Sequence, residues 1–365
     1  MRILVLGTRG IPDVLGGVET HCQELYPRLV KLGCDVTLIT RTPYIPSNQR
    51  GASYNGVKLK HVFAPRKKSI EAIIHSLLGV LSARLCSPDI LHIHAIGPSL
   101  LVPFARFLGL RVIVTHHGPD YDRQKWGKWA KRILMTGEYC AAKFANRIIV
   151  ISKVIDNILR NKYGRLDSVL IHNGVNPVIK NLNDNYLEVL GLEPGSYMIG
   201  VGRFVEEKGF HDLINAYKKM GSSDTRLVLV GDADHETSYS QSLKQIAKDN
   251  GVVLTGFIKG DKLSQIFSHA KLFVMPSYHE GLPIALLEAM SYDLPVLVSD
   301  IPANLEVELD NGDYFKLGDI DDLVDKLRKK ISQSIDPDYS EKLNKEYNWD
   351  VVAEETFNVY KELLS

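Results

Sequence analysis

The stretch Lys271-Leu-Phe-Val-Met-Pro-Ser-Tyr-His-Glu-Gly-Leu-Pro-Ile-Ala-Leu-Leu-Glu288 decides the fold. Its first six residues are a short apolar run closed by proline, the pattern of a parallel strand buried on both faces. Proline favours the first position of a helix, so a helix is expected to begin near Pro283. Glu280 then falls in the loop, and Glu288 lies about one and a half turns inside the helix. In open α/β sheets ligands bind beyond the carboxyl ends of the strands, which makes the loop from Met275 to Gly281 a site candidate. Unpaired N–H groups at a helix start favour a phosphate, while flanking carboxylates accept hydrogen bonds from sugar hydroxyls. Each Glu also has a plainer reading, one complementing the helix dipole and the other facing solvent.

Working outward, the same alternation recurs along the chain. Arg2 to Gly7, Asp35 to Thr40, Ile90 to His94, Arg111 to His116, Arg147 to Ile151 and Val169 to His172 read as strands, separated mostly by helix-like segments. After the polar stretch Asn173 to Glu193 a second cycle begins. Its strands are Tyr197 to Gly202, Arg226 to Gly231, Val252 to Leu254, Leu272 to Met275 and Pro295 to Ser299. Two open parallel-sheet domains are expected, residues 1–178 and 179–348, with a terminal helix from Trp349.

The 365 residues suit two domains, and 45% hydrophobic with 24% charged residues is ordinary for a soluble globular enzyme. No apolar stretch is long enough to span a bilayer and no signal-like segment precedes Gly7, so a cytoplasmic location is expected. Cys22, Cys34, Cys86 and Cys140 are widely spaced, which indicates buried thiols and not a disulfide framework or zinc cluster. The net charge of +1 hides an asymmetry. Residues 1–178 hold 25 Lys/Arg against 11 Asp/Glu, and the rest hold 19 against 32. A basic first half suits an anionic partner, such as a phosphate-bearing lipid, a membrane surface or nucleic acid, or else attraction to the acidic half.

Several loops carry candidate chemistry. Gly10, Gly16 and Gly17 follow the first strand, where the lack of a Cβ lets backbone N–H groups approach a phosphate; a simple structural turn at Gly16-Gly17 stays open. The spacing is not Gly-x-Gly-x-x-Gly, and the second strand ends at Thr40-Arg41 with no acidic residue for an adenine ribose, which argues against a dinucleotide dehydrogenase. Arg203 and Lys208 sit in the loop after the second domain's leading strand. They suit a diphosphate, with surface pairing to Glu206 and Glu207 as the alternative. In Thr115-His116-His117-Gly118, His117 is a candidate sugar-hydroxyl donor or proton shuttle and Asp120 its partner, while satisfied buried histidines are the plain alternative. Asp232-Ala-Asp234 is too short and common a tripeptide to mark a metal site, and none is expected. Arg123 to Met135 places Trp126, Trp129, Ile133 and Leu134 on one stripe with Arg123, Lys125, Lys128, Lys131 and Arg132 largely outside it. That pattern fits an anionic membrane or packing within its own domain, and Arg66-Lys67-Lys68 is a second basic cluster.

Taken in order, Gly7-Thr-Arg-Gly-Ile-Pro12, Gly16-Gly17-Val-Glu-Thr20, Thr115-His-His-Gly118, Asn173-Gly174-Val175, Gly202-Arg203 with Lys208-Gly209, and Glu280-Gly281 with Glu288 resemble the retaining glycosyltransferases of family 4. The resemblance covers most of the chain and implies a GT-B fold, two facing Rossmann-like domains with an interdomain cleft. It implies that Gly16, Gly17, Arg203 and Lys208 approach the nucleotide diphosphate. Glu280, with Gly281 and Leu282 beside it, would meet the donor sugar, Glu288 the nucleotide ribose, and His117 the reacting region. Phe257 and Ile258, after Gly256, resemble the stretch that holds the base through backbone groups.

The implied reaction moves a sugar from a nucleoside-diphosphate donor, with UDP favoured, to an acceptor hydroxyl with retained configuration and without cofactor or metal. No secure carboxylate nucleophile for a double displacement is visible. The opening motif and the Trp126 and Trp129 segment look most like bacterial enzymes of surface polysaccharide and lipopolysaccharide biosynthesis. Asp120, Arg123, Trp126, Lys128 and Trp129 would then face a glycan or polyprenyl-pyrophosphate-linked acceptor at the inner membrane surface. A sugar-nucleotide epimerase of GT-B shape and a non-catalytic nucleotide-sugar-binding protein are the rival readings. A nucleic-acid binder is disfavoured, because the basic residues join no recognition module.

Overall fold

The computed structural model describes residues 1–14, 16–45, 51, 53–65, 71–122, 127–221, 224–233, 235–334 and 336–365. The chain divides into two compact units, Met1–Gly174 with Glu346–Ser365, and Val175–Lys345. Arg66, Lys67, Lys68, Arg123, Lys125, Trp126 and Asp234, named above from the sequence, lie outside the described residues.

In the first unit the strands are β1 (Arg2–Leu6), β2 (Asp35–Arg41), β3 (Ser53–Tyr54), β4 (Val57–Val62), β5 (Ile90–His94), β6 (Val112–His116), β7 (Arg147–Val150) and β8 (Val169–Leu170). They form one sheet in the order β3-β4-β2-β1-β5-β6-β7-β8, parallel except where β3 pairs antiparallel with β4. The helices are α1 (Gly17–Lys31), α2 (Glu71–Cys86), α3 (Val102–Phe107), α4 (Lys128–Phe144) and α5 (Lys153–Tyr163). The second unit holds α6 (Asn185–Leu190), β9 (Tyr197–Val201), α7 (Phe210–Met220), β10 (Arg226–Val230), α8 (Ser238–Asp249), β11 (Val253–Gly256), α9 (Asp261–His269), β12 (Leu272–Met275), α10 (Ile284–Ser291), β13 (Val296–Ser299), α11 (Pro302–Leu305), β14 (Tyr314–Phe315) and α12 (Ile320–Ser332). Its sheet is fully parallel, in the order β11-β10-β9-β12-β13-β14. Two further helices, α13 (Ser340–Glu346) and α14 (Trp349–Leu364), end the chain.

Packing explains the layout. On α1, Cys22, Leu25, Tyr26 and Leu29 recur at helical spacing and are buried, as are Trp349, Val352, Ala353, Val359 and Tyr360 on α14. These two stripes and the apolar residues of β1, β2 and β5 make one core, so the last helix of the chain completes the first unit. Burying a side chain of this size contributes roughly 1.5–3 kcal/mol. Asn348 starts α14 by accepting from Asp350 N–H at 2.8 Å. In the second unit, Phe210, Leu213 and Ile214 of α7 and Leu323, Val324 and Leu327 of α12 pack with Met198, Leu227, Leu229 and Val274 of the sheet.

The structure adds the β3–β4 hairpin and β14, which the sequence reading did not include. It also corrects one expectation: Cys22, Cys34 and Cys140 are buried thiols, but Cys86 is exposed at the end of α2. Among the described residues no helix is long and apolar enough to cross a membrane.

Each sheet has a reversal of strand order, where successive connections leave in opposite directions: β1 beside β5 in the first, β9 beside β12 in the second. There the carboxyl-end loops splay apart, which is where open α/β sheets hold ligands. Gly7 lies directly after β1 with φ +113°, and a Cβ there would meet the carbonyl oxygen of His94 at 2.2 Å. Only glycine lets the β1 loop pass so close to the end of β5.

Candidate active site

In the second unit the loops after β9 and β12 interlock. Lys208 closes a short 3-10 turn, Glu206–Lys208, and its Nζ donates to Glu280 Oε1 at 2.6 Å. The same oxygen accepts from Ser277 Oγ at 2.6 Å. The backbones join as well: Tyr278 N–H donates to Glu207 O at 2.9 Å. Gly209 has φ +65°, and a Cβ there would lie 2.0 Å from the Pro276 carbonyl oxygen. With side chains only 18% and 11% exposed, Lys208 and Glu280 form a mostly buried ion pair, costly to break from one side. This replaces the alternative in which Lys208 pairs with Glu206 or Glu207 at the surface. Beneath it, Ser299 Oγ donates to Ser277 O at 2.6 Å, and Asn304 Nδ2 donates to Ser299 O at 2.8 Å. Ser277 lies in the loop from Met275 to Gly281 expected to hold the site, and its hydrogen bond to Glu280 is a role the sequence reading did not assign.

Other residues of the donor set take varied positions. Arg203 is half-buried in the same loop as Lys208. Glu288 sits in the second turn of α10, and burial pushes its carboxyl up to about 7, so it is poised between protonation states near neutrality. Leu282 is buried, and Gly281 and Ile258 are partly buried. Phe257 is 53% exposed and follows β11, the edge strand, two strands away from β9. The Tyr278 hydroxyl donates to Asp212 Oδ2 at 2.5 Å, which holds its pKa up at about 12, and its ring stacks on His211. Asp232 pairs with Lys244 Nζ at 2.7 Å and caps its own loop at Ala233 N–H.

In the first unit, Glu19 of α1 fills the loop after β1. Its carboxylate accepts from Arg9 N–H at 2.9 Å and from the Arg9 guanidinium at 3.2 Å. A Cβ on Gly16, with φ +146°, would lie 2.0 Å from Glu19 Oε2. Gly16 therefore makes room for this pair, and Gly17 begins α1 directly after it.

The loop after β6 is held from two sides. His116 Nε2 donates to Glu138 Oε1 at 3.0 Å and its Nδ1 accepts from Gly118 N–H at 3.1 Å, which fixes the tautomer and the turn that carries His117. His117 Nε2 shares a hydrogen bond of 2.9 Å with His94 Nδ1 at the end of β5. Tyr26 OH then links His94 to His92, whose Nε2 meets Thr115 Oγ1 at 2.7 Å. Burial pushes His92 down to about 3 and holds His94 and His117 well below the usual imidazole range, so these rings are neutral at pH 7. The sequence reading missed His94 and His21; the pair His92-Ile-His94 at a strand end was the available signal.

Asp120 is half-buried in the turn after Gly118. The helix expected from Arg123 begins instead at Lys128, after Gly127 in an extended conformation. Lys128 is exposed and Trp129 is 77% exposed, with the Arg132 guanidinium 5.4 Å from its ring centroid. Of the expected apolar stripe, Trp129 and Ile133 are thus exposed, at 77% and 43%, while Leu134 is partly buried.

Two α/β units with largely parallel sheets, each with its loops at a reversal of strand order, belong to the GT-B class of fold. Residues 15–178 match the family described as Glycosyltransferase Family 4, and residues 184–347 match glycosyl transferases group 1. The chain belongs to the family 4 glycosyltransferases. An uncharacterized glycosyltransferase of Methanocaldococcus jannaschii is 26% identical over 99% of this chain and 98% of its own length. Among solved structures, sucrose-phosphate synthase from Thermosynechococcus elongatus superposes with a TM-score of 0.84 at 18% identity, over 99% of this chain and 98% of that one. Anabaena HepE, solved with UDP and glucose, superposes with a TM-score of 0.80 at 16% identity, over 99% of this chain and 100% of its own.

Proposed function

We propose that this glycosyltransferase takes its sugar from a UDP-sugar and passes it, with retained anomeric configuration, to a hydroxyl of a glycan or lipid-linked acceptor in surface polysaccharide biosynthesis. The observation that carries the reading is the joined Lys208, Glu280 and Ser277 constellation at the β9–β12 reversal. A diphosphate arriving there competes for Lys208 and frees the Glu280 carboxylate for sugar hydroxyls. Arg203 and Lys208 neutralise charge on the departing UDP, the part a divalent cation would otherwise play. Glu288 accepts from ribose hydroxyls and Phe257-Ile258 lie along the base. UDP is favoured because HepE, of the same fold, is solved with it. Leaving group and acceptor hydroxyl act on one face of the sugar, the hydroxyl proton passing to the departing diphosphate and His117 holding the reacting groups. The acceptor meets Asp120, Arg123, Trp126, Lys128 and Trp129 at an anionic membrane surface, and no nucleic acid takes part.

Thermal-shift screening of nucleotide-sugars, followed by transfer assays with Arg203→Ala, tests this. Stabilisation by UDP-sugars is expected, with transfer by the variant sharply reduced and the fold kept. Full activity of the variant refutes the role of Arg203. Sugar interconversion with donor alone supports the epimerase reading, and binding without turnover the non-catalytic one.

A further inference from the structure

The first unit holds a group of imidazoles whose free nitrogens converge. His21 of α1, His94 at the end of β5 and His117 after β6 each offer one ring nitrogen, and the three lie within 4.8 Å of one another. Their outer nitrogens are largely fixed. Asn173 Oδ1, which can only accept, lies 2.7 Å from His21 Nδ1, so His21 carries its proton there and turns Nε2 inward as a lone pair. That Nε2 is buried and has no hydrogen-bond partner. Tyr26 OH engages His94 Nε2 and leaves His94 Nδ1 facing His117 Nε2. With the single proton of His94 on Nε2, donated to Tyr26 OH, and that of His117 on Nδ1, three lone pairs face one point. Orientation of a ligand by a partner on its other nitrogen, as for His21 and His94, is the arrangement metal-binding histidines adopt.

We propose that His21, His94 and His117 bind one late first-row divalent ion of the Zn²⁺ class, with an open fourth position beside half-buried His117. Three imidazoles without carboxylates suit Zn²⁺, Cu²⁺, Ni²⁺ or Co²⁺ and disfavour Mg²⁺ and Ca²⁺. Nitrogen–metal distances of about 2.0–2.1 Å in a tetrahedral site put ligand atoms about 3.4 Å apart, so on binding the 2.9 Å separation of His94 and His117 opens by about half an ångström and the wider separations in the trio, up to 4.8 Å, close by side-chain rotation. The three ligands belong to the first unit, whereas Lys208 and Glu280 belong to the second. The ion occupies His117, and resting on the role proposed for that residue, it inhibits transfer.

The test is a Co²⁺ titration of the untagged chain carrying Cys86→Ser, which removes the exposed thiol. A visible ligand-field band that saturates at one ion per chain and is abolished by Zn²⁺ is expected. His117→Ala, in the loop after β6, and Asn173→Ala, which frees the His21 ring, each weaken binding by about tenfold or more. Circular dichroism confirms that the variants fold. No band, a band with thiolate charge transfer, or affinity unchanged in both variants overturns the proposal. Because the readout is binding, failure of the transferase reading leaves this result interpretable, and failure of Co²⁺ to bind leaves that reading standing.

Discussion

Replacing Glu138 by Gln probes the support of the β6 loop. Glu138 is fully buried on α4, and its carboxylate accepts from His116 Nε2 at 3.0 Å, Tyr163 OH at 2.6 Å, Lys162 Nζ at 2.9 Å and Tyr121 OH at 3.1 Å. Burial alone pushes this carboxyl up, but the donors, led by His116, outweigh it and hold its pKa at about 2 against an ordinary 4.5. A folded-state value below the unfolded one stabilises the fold fully above pH 4.5, and that stabilisation is lost as pH falls through about 2. The difference corresponds to about 3 kcal/mol at neutral pH. Gln keeps the shape, removes the charge and turns an NH₂ toward groups that donate, so a loss of about 3–5 kcal/mol in local stability is expected. With two units, a single global unfolding energy is ill-defined, so native-state hydrogen exchange of peptides from β6 and α4 is the assay. Exchange there should accelerate about two hundredfold to several thousandfold at pH 7, and the gap between parent and variant should narrow on acidification. Rates within about threefold of the parent would refute the reasoning.

Three further outcomes follow from the second unit and from α4. Gly209→Ala forces a side chain into positive φ against Pro276 O and should lower the unit's stability by at least about 1–2 kcal/mol in urea titration, with transfer reduced alongside. Glu288 has its folded pKa raised by burial, so ionisation is disfavoured until pH passes about 7. If ribose hydroxyls require the ionised form, UDP-sugar affinity measured calorimetrically should climb between pH 6 and about 7.5 in the parent and stay flat in Glu288→Gln. Vesicle sedimentation should show preference for anionic over neutral lipid, weakened by Trp129→Ala; equal partition would remove the electrostatic basis for membrane contact.

Much of the fold was legible because parallel strands are written locally. Leu272 to Met275 and Tyr197 to Val201 are short apolar runs ended by Pro, Gly or polar residues, and their burial on both faces leaves little ambiguity. The β3–β4 hairpin was legible too, though unread. Tyr54 and Val57 flank Asn55-Gly56, whose positive φ angles of +46° and +85° are what a two-residue hairpin turn needs. β14 has only two residues and takes its strand character from pairing with β13, which no local pattern announces. At the site, Lys208 and Glu280 could be nominated from their loops. Their direct contact depends on β9 and β12 being neighbours, a property of strand order. His21, 73 residues from His94, became visible as its companion only when α1 was laid beside β5.

The last helix has a bearing on how the polypeptide matures. Trp349, Val352, Val359 and Tyr360 belong to the core of the first unit, and Tyr360 OH reaches His92 Nδ1 at 2.6 Å. During synthesis that half must therefore wait, its interior open, until the ribosome has made the whole of residues 175–345. A nascent chain released before Trp349 would carry a finished second half attached to an uncovered apolar face, an obvious substrate for chaperones and proteases.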